Sequence, residues 1–337
     1  VDHLHPAFQQ AILECIAQAP TQYRAELASL LTLKFQTFKA DKLVSRSAKK
    51  ADYQVKNISD GDTSQYNMLK KLELSHDDHL QLLDYCSRKG IKFFSTAFDL
   101  EGLKYLNDLN LPLFKIPSGE VTNYPYLKMV ATFGKPVILS TGMCTERDVE
   151  KAMDVLMDNG LLRENISVLH CNTEYPTPMK DVNLKAMNSI REILGVQVGY
   201  SDHTLGIEVP TAAVALGATV IEKHFTLDRS LPGPDHKASL EPNELKAMVK
   251  SIRNIELAIS GSGKKELSKS ESKNVAIARK SIHLRRNLNA GAVIEEKDII
   301  ALRPGDGISA MQWNNVIGKT LQVDKNEFDK LTWGDLS

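Results

Sequence analysis

Two histidines each follow an apolar run of strand character: His203 in Val198-Gly199-Tyr200-Ser201-Asp202-His203 and His224 in Val220-Ile221-Glu222-Lys223-His224. Consecutive strands of a parallel α/β fold lie side by side, so the two imidazoles are expected at one rim. Without a cysteine or a third histidine beside them, such a pair can hold a divalent ion and leave positions open for water and substrate. That suits catalysis better than structural metal binding. Asp202, Glu222 and Asp235 are the acids nearby. His170 reads as strand interior, and His236 in Pro232-Gly233-Pro234-Asp235-His236 is a further candidate ligand.

A second group of residues suits an anion. Lys34 and Lys115 end two other strand-like runs, and Thr96, Ser118, Ser140 and Ser201 stand at similar exits. One serine at a strand end is ordinarily a turn or a cap. Two ammonium groups with four hydroxyls read instead as donors to phosphate and carboxylate oxygens. Glu120 follows Ser118-Gly119, where partial burial tunes a carboxyl toward proton transfer; its alternative role is a helix-start acid. Arg303, in the turn Arg303-Pro304-Gly305-Asp306-Gly307, is able to reach a neighbouring site.

The elements that carry these residues are seven short runs: Leu31–Phe35, Ile91–Ser95, Leu113–Pro117, Pro136–Ser140, Ile166–His170, Val196–Tyr200 and Thr219–Lys223. Between most of them the apolar spacing is helical, as in Val149-Ala152-Met153-Leu156-Met157. Alternating strand and helix predicts parallel βα units. Chemistry-bearing side chains follow every strand, which is what an eight-stranded βα (TIM) barrel requires of its rim. An open doubly wound sheet would gather them at one switch point. An eighth strand should precede Leu31, yet residues 6–30 read as one or two amphipathic helices. The charged stretch Lys39–Lys71 has no strand signal and is expected to be a flexible flap. The reading divides the chain into a barrel (1–262), a Gly/Ser/Lys-rich linker (263–275) and a small, mostly β domain (276–337).

Composition narrows the function. Lysine plus arginine equals aspartate plus glutamate at 42 each, so no global field draws nucleic acid or an acidic membrane. Cys15, Cys86, Cys144 and Cys171 are scattered without a C-x-x-C pair and read as reduced thiols of a cytoplasmic protein. The apolar stretch from Val209 to Ile221 is too short to span a bilayer, and no secretory leader pattern opens the chain.

Taken together, the motifs closely resemble those of the sialic acid synthase family. They include Lys34-Phe35-Gln36-Thr37-Phe38-Lys39-Ala40, Lys115-Ile116-Pro117-Ser118-Gly119-Glu120, Leu139-Ser140-Thr141-Gly142-Met143 and His170-Cys171-Asn172-Thr173-Glu174-Tyr175-Pro176-Thr177-Pro178. Gly199-Tyr200-Ser201-Asp202-His203, Glu222-Lys223-His224-Phe225-Thr226 and Gly233-Pro234-Asp235-His236 extend the likeness. The turn at Arg303 resembles the motif of the family's antifreeze-like SAF domain. The likeness runs from about Leu33 to about Val323. It implies a TIM barrel with a C-terminal SAF domain, assembled as a domain-swapped homodimer. It also implies condensation of phosphoenolpyruvate with an N-acetylated mannosamine-type sugar. The alternatives are a legionaminic or pseudaminic acid synthase acting on a diacetamido-trideoxy hexose, or a non-catalytic paralogue that only binds these ligands.

By the same resemblance His203 and His224 bind Mn²⁺ or Mg²⁺. Lys34, Thr96, Lys115, Ser118, Ser140 and Ser201 hold phosphoenolpyruvate, with Asn172 nearby. Gln36, Tyr175 and Asp235 face the sugar, Asp235 being grouped with Glu120 as a catalytic acid. Glu120 serves proton transfer at the sugar carbonyl, and Arg303 reaches over from the partner subunit. The family's opening Ala-Glu-Ile-Gly-x-Asn-His type motif has no match in residues 1–30, so a rim glutamate and asparagine are missing from the expected set.

Overall fold

The structure, a computed structural model, describes residues 32–337. The expected helices over 6–30, the eighth strand, Leu31 and Cys15 lie outside the described residues. The chain divides into two compact units between Gly261 and Ser262.

The first unit alternates strand and helix. Its strands are β1 (Thr32–Thr37), β2 (Lys92–Ala97), β3 (Phe114–Ile116), β4 (Val137–Ser140), β5 (Ile166–Cys171), β6 (Gln197–Asp202) and β7 (Ile221–Lys223). All pairings are parallel, β1 with β2 and then β3-β4-β5-β6-β7 in chain order. Chain-order parallel neighbours, each reached through a covering helix, make the wall of a TIM-type barrel.

Each strand shows one set of alternate side chains to the barrel interior and the other to the helices. On β1 and β2 the outward set is Phe35, Thr37, Phe93 and Ser95. Phe35 stacks on Phe93, and Thr37 Oγ1 meets Ser95 Oγ at 2.6 Å and His79 Nε2 at 2.7 Å. The inward set therefore includes Lys34, Gln36 and Thr96. Gly199 on β6 marks a close approach: a Cβ there would lie 2.3 Å from the Val220 carbonyl oxygen.

Several helices start on side-chain caps. Thr145 and Asp148 form a capping box for helix Glu146–Asp158, which buries Val149, Ala152, Met153 and Leu156 on one stripe. Asp99, at the β2 exit, caps helix Leu100–Asp108 by accepting from Gly102 N–H.

The expected flexible flap is instead folded. It carries short helices Ala40–Leu43, Asp52–Ile58 and Gln65–Lys70, and the buried Lys50 ammonium pairs with Asp60 at 2.7 Å. Asn57 Nδ2 donates to the carbonyls of Tyr175 (3.0 Å) and Pro234 (2.7 Å), tying the segment to two rim loops. These tethers join residues more than a hundred positions apart, so local sequence carries no trace of them.

The second unit pairs β8 (Ser281–Leu284) antiparallel with β9 (Ile299–Leu302). Isolated bridges and turns complete it around a core of its own, including Ile282, Leu284, Ile294, Ile299, Val316, Leu321 and Leu331. The stretch expected as linker carries a helical turn at Lys269–Ser272.

Candidate active site

The inward face at the C-terminal strand ends gathers charge. Ser201 on β6 lies opposite Glu222 on β7, and Ser201 Oγ donates to Glu222 Oε1 at 2.8 Å. Glu222 also receives two ammonium groups, Lys34 from β1 (Nζ to Oε2, 3.1 Å) and Lys115 from β3 (Nζ to Oε1, 3.7 Å). The two lysines thus do converge, and the group between them is a carboxylate. Burial presses the Lys115 ammonium down from the ordinary lysine range, with Glu222 opposing it. Burial alone would lift the Glu222 carboxyl, but Lys115, Lys34 and the Ser201 hydroxyl hold it far below the usual carboxylate range. Glu222 is therefore ionised, and its charge is what opposes the fall at Lys115.

Two strand-end hydroxyls of the same set, Thr96 Oγ1 and Ser140 Oγ, are buried without a hydrogen-bond partner. A buried unpaired hydroxyl is costly, and a ligand oxygen would satisfy it. Ser118 Oγ accepts from Gly142 N–H at 2.9 Å and lies 3.3 Å from Cys171 Sγ, linking the exits of β3, β4 and β5.

The imidazoles of His203 and His224 meet with ring centroids 5.1 Å apart and planes at 84°. Burial lowers His203 to about 4 and, with His203 itself as a second cause, carries His224 well below its ordinary value. Both rings are neutral near pH 7. His203 Nδ1 faces the Asn172 carbonyl; as a donor there it leaves Nε2 unprotonated beside Ser201 Oγ at 3.5 Å, and a backbone partner on the far nitrogen is typical of metal-binding imidazoles. Among the described residues no group of three or more His, Cys, Asp or Glu is arranged to hold a metal ion. The two rings are the available protein donors, and their neutral state suits a divalent ion with positions left open.

Tyr175 connects this pair to the rest. Its ring stacks on His203 (4.0 Å) and on Tyr53 of the folded segment (5.1 Å), and meets His224 edge-on at 5.4 Å. Asp235 Oδ2 is 3.5 Å from His224 Nδ1, and burial raises its carboxyl to about 6.

Asp202, His170 and His236 take partners outside this group. Asp202 points outward to Lys223 (2.6 Å), away from the imidazoles. His170 also faces out, to the Val182 carbonyl and the Tyr200 ring. His236 Nδ1 is held by Thr226 Oγ1 at 2.7 Å. Glu120 is buried in the turn after β3, where burial raises its carboxyl and the amide of Asn123 opposes the rise. Gln36 is exposed at the end of β1, and Arg303 is exposed in the second unit. Glu222, Tyr53 and Asn57 were not singled out for these positions by the sequence reading. Period-two alternation offered a signal for the first, since Glu222 on β7 and His224 just past its end are two residues apart.

Comparison with known families covers both units. The NeuB family model matches residues 11–265, starting ahead of the motifs, and the SAF domain model matches residues 279–337. The chain belongs to the NeuB family. The N,N'-diacetyllegionaminic acid synthase of Campylobacter jejuni is 51% identical over 287 residues, 85% of each chain. The protein of the same name from Legionella pneumophila is 47% identical over 313 residues, covering 92% of this chain and 87% of that one. Among solved structures, N-acetylneuraminic acid synthetase from Leptospira borgpetersenii in complex with citrate superposes with a TM-score of 0.63 at 30% identity. That match covers 80% of this chain and 86% of the other. The NeuB barrel is thus the frame on which the lysines, hydroxyls and imidazoles meet.

Proposed function

We propose that this protein condenses phosphoenolpyruvate with a diacetamido-trideoxy hexose to give N,N'-diacetyllegionaminic acid and phosphate. The observation that supports the reaction class is the approach of Lys34 and Lys115 to one carboxylate on the face where Ser201 lies beside His203, with the Thr96 and Ser140 hydroxyls buried and unpartnered on their strands. The motifs first suggested an N-acetylated mannosamine-type acceptor. The relatives at 51% and 47% identity favour the diacetamido sugar.

In the proposed reaction, C3 of phosphoenolpyruvate attacks the aldehyde carbon of the open-chain sugar. Water adds at C2, and the tetrahedral intermediate loses phosphate to leave the 2-keto acid. Lys34 and Lys115 neutralise substrate phosphate and carboxylate charge, and Thr96, Ser118, Ser140 and Ser201 donate to its oxygens, with Asn172 beside them. Glu120, its carboxyl raised by burial, gives a proton to the aldehyde oxygen as that becomes a hydroxyl. Tyr175, Asp235 and Gln36 orient the sugar, and Arg303 completes the site from the partner of a domain-swapped homodimer. His203 and His224 would hold Mn²⁺ or Mg²⁺, which as a Lewis acid polarises a carbonyl oxygen.

The acceptor is tested by comparing kcat/KM for the diacetamido sugar and N-acetylmannosamine under identical conditions. The diacetamido sugar is expected to win by about tenfold or more, the scale on which pockets discriminate between such analogues. Equal or reversed preference returns the assignment to the mannosamine branch. Metal dependence is tested with chelator and with His224→Ala, both expected to abolish phosphate release. Wild-type turnover in chelated buffer contradicts a metal role.

A further inference from the structure

We infer that Glu222 is an internal counter-ion that competes with phosphate for the Lys34 and Lys115 ammonium groups and thereby promotes phosphate release. This rests on the phosphoenolpyruvate reading above.

The geometry is that of a shared site. The two carboxylate oxygens are divided between the lysines, Oε2 toward Lys34 at 3.1 Å and Oε1 toward Lys115 at 3.7 Å. The three residues come from three separate strands, so only the inward curve of the wall brings them together. Lys115 is the deep member, its side chain 3% exposed, whereas Glu222 and Lys34 are 17% and 22% exposed on the open side. Thr96 Oγ1 and Ser140 Oγ are buried and unpartnered. An anion that takes these hydroxyls and both ammonium groups meets Glu222 as a charge of its own sign. It must share the lysines or push the carboxylate aside.

A purely structural account is available for comparison. Removing one member of a buried ion pair strands the other, so Glu222 would be needed only to keep Lys115 paired. The two accounts differ in sign. A structural carboxylate supports anion binding by holding the lysines in place; a competing carboxylate weakens it.

The test titrates inorganic phosphate and phosphoenolpyruvate into the full-length protein by calorimetry, in chelated buffer. Wild type is compared with Glu222→Gln, Glu222→Asp, Lys115→Met and the double variant Lys115→Met/Glu222→Gln. Glu222→Gln is expected to bind phosphate about tenfold tighter, the scale of one nearby charge in a partly buried site. In steady-state assays its kcat falls and product phosphate inhibits at lower concentration. Glu222→Asp keeps the charge and stays within about twofold of wild type. Lys115→Met leaves Lys34 cancelled by Glu222 and loses phosphate binding, and adding Glu222→Gln restores about tenfold of it. The double variant removes the deeply buried Lys115 charge together with its partner and leaves only the partly exposed Lys34, so it decides the question even if Glu222→Gln alone does not fold. Unchanged or weaker phosphate binding in Glu222→Gln, no recovery in the double variant, or an equal gain in Glu222→Asp overturns the inference. Wild type that binds neither anion overturns the underlying cradle reading as well, and that arm is read independently of the variants.

Discussion

Ser140 and Thr96 each hold a hydroxyl out of water with nothing to bond. Such groups typically cost about 1–3 kcal/mol, so the protein gives up stability where the substrate is expected to bind. Ser140→Ala should therefore leave stability unchanged or raise it by about 1 kcal/mol, while raising KM for phosphoenolpyruvate about tenfold. Denaturant unfolding and initial rates on one preparation check both halves. Loss of stability together with unchanged KM would make the hydroxyl structural. Glu120→Gln should lower kcat about a hundredfold with little change in phosphoenolpyruvate affinity, because the lost function is proton transfer. Single-turnover rates and equilibrium titration separate the two effects. Much of this site was legible in residue types at strand exits. Glu222 was not, because beside His224 it reads as one more acid near a metal ligand. Only the fold shows Lys34 and Lys115 arriving on it from β1 and β3. Asp99 and Asp202 show the reverse, acids at strand exits that serve as a helix cap and as a partner for outward-facing Lys223.

Among the elements, the junction of β6 and β7 has the least room. A methyl at Gly199 would lie 2.3 Å from the Val220 carbonyl oxygen, so Gly199→Ala must part the strands that carry Ser201 and Glu222. Overpacking of this kind costs about 1–3 kcal/mol, and here it should also reduce kcat because the site is displaced. Thermal unfolding and turnover measured on the same variant test this. At the β1–β2 pair, His79 is fully buried between Thr37 Oγ1 and the Ser75 carbonyl, and burial depresses its folded-state pKa below the ordinary 6.5. A depressed histidine contributes stability that is present above the unfolded value and is lost as pH falls toward the folded one. The melting temperature of wild type should fall as pH is lowered below about 6.5, and His79→Gln should show a shallower fall. Parallel slopes would remove His79 from this account. The strands themselves were readable because β-branched runs alternate with helical spacing, and the stretch read as a small, mostly β domain carries β8 and β9. Ends shifted where pairing extends a strand past its apolar run, as at Asp202 of β6. The folded segment after β1 was less readable, since Asn57 and Tyr53 act through distant partners.

At the scale of the whole molecule, the described residues form two hydrophobic cores, one in each compact unit. The SAF unit buries Ile282, Leu284, Val316, Leu321 and Leu331 among its own residues. An isolated fragment spanning Ser262–Ser337 should therefore unfold cooperatively on heating, as a single transition in circular dichroism. A fragment without a transition would show that this core needs the barrel unit to form. Among the described residues no helix is long and apolar enough to cross a membrane. The barrel architecture followed from the order of the elements, and seven of its strands are described. The central claim is that the lysine cradle and the paired imidazoles serve one condensation. It is tested most directly by incubating the protein with phosphoenolpyruvate, the diacetamido-trideoxy hexose and Mn²⁺, then quantifying phosphate and 2-keto acid together. The account predicts equal amounts of the two, both lost in Lys115→Met and in chelator. Phosphate release without a new nine-carbon acid, or neither product from either sugar, would contradict it.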